Sequence, residues 1–121
     1  MERRLHERIP ACSDCVLRFK NNVEVQGKLW DISEGGVCVA VYETASPGIG
    51  DTCTIQFSDE IDGGNFMIAE PITVVNVINL AGGYRVGASF INKISQSCLD
   101  YIHVLSSRAI LRNHLMRDPL G

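Results

Sequence analysis

A chain of 121 residues makes one domain, with 45% hydrophobic and 21% charged residues, as in ordinary globular folds. Its net charge of −3 argues against DNA or RNA as a partner, because nucleic-acid affinity comes mainly from basic phosphate contacts. No apolar run is long enough to span a bilayer, and no apolar stretch follows the arginine-rich start as in a signal peptide. A cytoplasmic protein without membrane insertion is expected.

Residues 1–10 form the first segment, a flexible arm. Arg3, Arg4 and Arg8 against Glu2 and Glu7 leave it at +1 and the remainder of the chain at −4. Strands are expected over about 12–20 and 23–32, joined by Asn21-Asn22 as a two-residue turn, since Asn tolerates positive φ. Asp31-Ile32-Ser33-Glu34-Gly35-Gly36 ends this hairpin. Val37, Val39 and Val41 then alternate with Cys38, Ala40 and Tyr42, so that strand is covered on both faces. A turn cluster at 46–51 leads to Cys53, Ile55 and Phe57 alternating with polar residues.

The stretch 58–64, with Asp59, Glu60 and Asp62 before Gly63-Gly64, reads as an acidic exposed loop. A strand follows from Phe66 to about Val77, where Pro71 argues for an edge or a bulge. Ala81-Gly82-Gly83 turns the chain into a strand over 84–90. Six or more short antiparallel strands of this kind suggest a mainly β fold, a small barrel over 11–92. The period changes over 95–117, a C-terminal helix capped by Ser95 or Ser97, the latter with Asp100 three residues on. Its apolar stripe is Leu99, Ile102, Leu105, Ala109 and Met116, widened by Ile110, Leu111 and Leu115; Arg108, Arg112 and Arg117 suit its C-terminal dipole.

Hairpin geometry brings the two polar signatures together. With Lys20 opposite Val23, paired residue numbers sum to 43, so Cys12 faces Asp31 and Arg8 extrapolates to Ser33–Gly35. The arginine arm then emerges beside the Asp31 turn. Arginine binds phosphate in bidentate fashion, stacks on aromatic planes and pairs with guanine O6 and N7. A carboxylate such as Asp31 accepts from guanine N–H groups. Ser33 adds a short donor, and Gly35 and Gly36 allow close backbone approach. Several arginines with one carboxylate suit a guanine nucleotide with more than one phosphate.

At this point the sequence resembles the PilZ domain family, receptors for the bacterial second messenger cyclic di-GMP. Arg4-x-x-x-Arg8 preceded by Arg3, and Asp31-x-Ser33-x-x-Gly36, carry the resemblance. It extends to Val86-Gly87-Ala88-Ser89-Phe90 and to the closing helix. The resemblance implies a six-stranded antiparallel β-barrel with a C-terminal α-helix and an arm that folds over the ligand. Arg4 and Arg8 would contact phosphates and guanine edges, Asp31 a guanine, and Ser33 and Gly36 the ligand-facing turn. Arg3 is similar to the residue found in members that take two ligand molecules.

The bland readings are a solvated basic terminus for the arm and a strand-ending turn for the second signature. Five cysteines are expected as reduced thiols. Cys12-x-x-Cys15 sends its sulfurs to opposite faces of a strand, which opposes a shared metal. Arg85 reads as an exposed strand residue, and Trp30 as core or barrel surface. No cofactor, metal or enzymatic motif is expected. The expectation is a receptor or adaptor acting on an effector protein in motility, biofilm or exopolysaccharide control. The alternative is an interaction module with weak or no nucleotide binding. The far half of a helix roughly 30 Å long, at 1.5 Å per residue, is expected to pair with a second copy or a partner.

Overall fold

The computed structural model describes residues 8–42 and 47–116, with side chains to residue 108. Six strands, β1 (Ile9–Arg18), β2 (Glu24–Ile32), β3 (Gly36–Val41), β4 (Thr52–Ile61), β5 (Gly64–Leu80) and β6 (Gly83–Phe90), precede one helix, α1 (Gln96–Met116). Every neighbouring pair is antiparallel, and the ring closes in the order β1-β2-β3-β6-β5-β4. Closure gives each strand two neighbours, while residues 64–71 of β5 pair with β4 alone. Leu17, Leu29, Ile32, Ile55 and Ile72 fill the interior and are fully buried. Burial of such a side chain contributes about 1.5–3 kcal/mol. β3 is covered on both faces, as expected: Val37, Val39 and Val41 are buried inside, Cys38 and Ala40 outside.

Strand β1 begins at Ile9, inside the stretch assigned to the arm. The first hairpin differs from the two-residue reading. Phe19 pairs with Val23 through an N–H···O bond of 2.9 Å, leaving Lys20, Asn21 and Asn22 as the loop. Asn22 takes the left-handed conformation at φ 63°, as three-residue hairpin loops require. Paired numbers therefore sum to 42 near the turn, as in Arg18 opposite Glu24. A register shift between Pro10 and Ser13 brings Pro10 opposite Asp31 and Ile9 opposite Ile32. Asp31 thus faces Pro10 rather than Cys12. Two slips of one residue restore the original parity, so Arg8 still extrapolates to Ser33.

The acidic stretch 58–64 is not a loop. β4 runs on to Ile61 and β5 starts at Gly64, joined by Asp62 at φ 52° and Gly63 at φ 82°. Positive φ at both central residues is the type I′ hairpin turn that Asp-Gly favours. The alternation continues through the charges, with Phe57 and Ile61 buried. Asp59 takes the inward position between them and accepts a 2.8 Å hydrogen bond from the Tyr101 hydroxyl. Pro71 stands where β5 changes neighbours: its pairing with β6 begins only at Ile72 opposite Phe90. The missing N–H therefore falls at a sheet margin.

Helix α1 covers the barrel between β1 and β5. Its buried face is Cys98, Tyr101 and Ile102, with Leu105 partly buried, whereas the expected stripe omitted Cys98 and Tyr101. Tyr101 lies against Phe57 and Phe66, with ring centroids at 5.2 and 5.5 Å. Ser95 is the cap, its Oγ accepting from Cys98 N–H at 3.2 Å. Buried Glu70 accepts from Ser95 N–H at 3.0 Å, placing a carboxylate at the positive end of the helix. The stripe positions beyond Arg108, and Arg117, lie outside the described side chains.

Candidate ligand-binding site

The Asp31–Gly36 turn is built around the Ser33 side chain. Ser33 Oγ accepts from the N–H groups of Gly35 and Gly36 at 3.1 and 3.2 Å, and Ser33 N–H donates to Gly36 O at 2.9 Å. The hydroxyl itself donates to Gly36 O at 3.5 Å, and Ser33 is buried. Ser33 and both glycine N–H groups are therefore engaged inside the turn, which makes the serine a staple of its shape. Gly36 has a separate constraint: a Cβ there would lie 2.1 Å from the Ala88 carbonyl oxygen of β6. Gly35 is exposed, and its carbonyl accepts from Phe90 N–H at 3.0 Å, tying the turn to the end of β6.

Arg8 and Asp31 meet across this turn, with Nη1 and Oδ1 3.4 Å apart. Both side chains keep about a third of their surface in solvent, 37% and 27%. Such a pair contributes about 0.2–1 kcal/mol. The contact positions the base of the arm more than it stabilises the fold. Arg3 and Arg4 lie outside the described residues.

A bulge in β2 adds a feature that strict alternation hides. Leu29 pairs with Val39 and Asp31 with the next β3 residue, Cys38, leaving Trp30 as the extra residue. Leu29 and Ile32 are both fully buried, so Trp30 and Asp31 both face outward. Trp30 is 39% exposed. Arg85 of β6 reaches across β3 and sets its guanidinium carbon 5.7 Å from the indole centroid. Arg85 is thus half-buried against an aromatic ring instead of free on the surface. The two-residue gap between the apolar Leu29 and Ile32, where strict alternation would put them on opposite faces, was the available sign of the bulge.

The Cys12 and Cys15 sulfurs diverge, one exposed and one buried. Burial pushes the Cys15 thiol up to about 12, with the Asp14 charge adding to it. Burial likewise raises Cys53 to about 11, helped by Asp51, and Cys98 to about 12, helped by Glu70. These thiols stay protonated at neutral pH and make poor nucleophiles. Among the described residues no helix is long and apolar enough to cross a membrane.

The PilZ domain family model matches residues 2–103. The chain belongs to the PilZ family. The fold is shared with the PilZ domain of Escherichia coli YcgR with c-di-GMP, at TM-score 0.66 and 20% identity over 96% of this chain and 99% of that one. Longer YcgR in complex with c-di-GMP gives 0.74 and 18% identity, covering 100% of this chain and 52% of that one. The Bacillus subtilis inhibitor of motility, MotI/DgrA, gives 0.74 and 18% identity, with 97% and 54% covered. This PilZ chain thus spans about half the length of MotI/DgrA and of the longer YcgR. No curated protein matches the sequence.

Proposed function

We propose that this PilZ protein is a receptor for cyclic di-GMP, a binding module and not an enzyme. Its N-terminal arginines close over the ligand and change a surface read by an effector protein. The observation that carries this reading is the Arg8–Asp31 contact, which joins two motifs 23 residues apart. In the proposed complex Arg3, Arg4 and Arg8 engage phosphates and guanine edges, and Asp31 accepts from a guanine N–H. The exposed Gly35 and Gly36 turn lies against the ligand, with Ser33 holding its shape. Arg3 favours two ligand molecules. The far half of α1 joins a second copy, and the output is control of motility, biofilm or exopolysaccharide.

The test is titration calorimetry with cyclic di-GMP. Arg4→Ala, Arg8→Ala and Asp31→Ala should each weaken binding on the order of ten- to a hundredfold, as loss of a charge-assisted bond does. Melting temperature should change little, because the Arg8–Asp31 pair is a solvated one. Unchanged affinity in all three variants would contradict the assignment. No heat with the unaltered protein would favour a module that works through protein contacts alone.

A further inference from the structure

Trp30 is the feature that the two arginine and aspartate motifs do not absorb. A half-exposed indole on a barrel strand loses the favourable burial of a large apolar surface, and most such residues find cover. Here the bulge turns it outward and sets it on the face of Asp31. Its position is held, because the Arg85 guanidinium lies over the ring at 5.7 Å. The β3 residues between β2 and β6, Cys38 and Ala40, are small and already buried, and the Asn76 side chain lies against Gly87. The exposed part of the Trp30 indole, beside Asp31, is therefore the surface this face offers to a planar group.

We infer that Trp30, braced by Arg85, is a stacking platform for a guanine base of the dinucleotide whose N–H edge Asp31 accepts. This inference rests on the receptor reading above and adds residues to its site. The physical division of labour is simple. Asp31 distinguishes the base by its donors, but an exposed carboxylate competes with water for them. Stacking on an aromatic face is tolerant of base identity and supplies affinity that the hydrogen bonds alone do not. Arg85 contributes by fixing the indole before the ligand arrives and by adding positive charge beside a dianionic ligand.

The chain has one tryptophan, so its fluorescence, excited where tyrosine does not absorb, reports on Trp30 alone. Cyclic di-GMP should quench this emission along the same saturation curve that calorimetry gives. Trp30→Leu should bind on the order of ten- to a hundredfold more weakly, the effect of losing one base–aromatic stack. Trp30→Phe should keep most of the affinity, and Arg85→Ala, which retains the indole but removes its brace, should lose severalfold. Binding heat without any change in emission would overturn the platform and leave the receptor reading standing. So would quenching accompanied by full affinity in Trp30→Leu. No heat with the unaltered protein would remove the receptor reading, and the platform with it.

Discussion

Ser33 shows how one side chain can serve a site without facing its ligand. Its oxygen, buried beneath the turn, accepts two backbone N–H groups, from Gly35 and Gly36. Ser33→Ala strands those donors and should destabilise the protein by about 1–2 kcal/mol, visible as a lower melting temperature. Any loss of ligand affinity in that variant should be accompanied by this loss of stability, whereas Arg8→Ala and Asp31→Ala should lose affinity alone. The thiols obey the same rule of environment over identity. At neutral pH an alkylating reagent should modify Cys12 and spare Cys15, Cys38, Cys53 and Cys98 until the chain is unfolded. Mass spectrometry of the native protein checks this; rapid labelling of a buried thiol would contradict it.

The elements themselves were legible where side-chain chemistry and period agreed. β3, β6 and the closing helix follow from β-branched alternation and from a Ser-led helical stripe. The β4–β5 hairpin was hidden because Asp59 stands at an inward position, and a carboxylate there interrupts the apolar alternation that marks a half-buried strand. Its partner, the Tyr101 hydroxyl, is 42 residues away and belongs to another element, so no local pattern announces the pair. The Asp62-Gly63 turn was the local sign of a hairpin. The first hairpin slipped for a similar reason: Asn21-Asn22 permits either a two- or a three-residue loop, and only the tertiary register selects between them. Tyr101 links helix to ribbon through Asp59, Phe57 and Phe66. Tyr101→Phe keeps the ring contacts but removes the donor to Asp59, and should cost about 1–3 kcal/mol in a denaturant titration. A variant as stable as the parent would show that water replaces the hydroxyl.

For the whole molecule, the buried thiols set a direction for stability against pH. Cys15, Cys53 and Cys98 sit at about 12, 11 and 12 in the folded protein against an ordinary value of 9.0. The folded state therefore holds protons that the unfolded chain releases above pH 9. Their contribution is complete below that point and is lost progressively as pH rises toward 11–12. Melting temperature should fall as pH is raised beyond 9, and replacing these cysteines with alanine should flatten that part of the profile. At the same scale the barrel acts as a frame. Its three-residue first loop and the register shift in β1–β2 set the pairing that brings Arg8 to the Asp31 turn, and its β2 bulge adds Trp30 to that face. The site is thus a product of strand pairing as much as of the two motifs. A crystal structure of the full chain with cyclic di-GMP tests this most directly. The account predicts ligand phosphates against the guanidinium groups of Arg4 and Arg8, with a guanine edge on Asp31. Ligand bound elsewhere on the barrel, or arginines turned away from an unoccupied Asp31 turn, would contradict it.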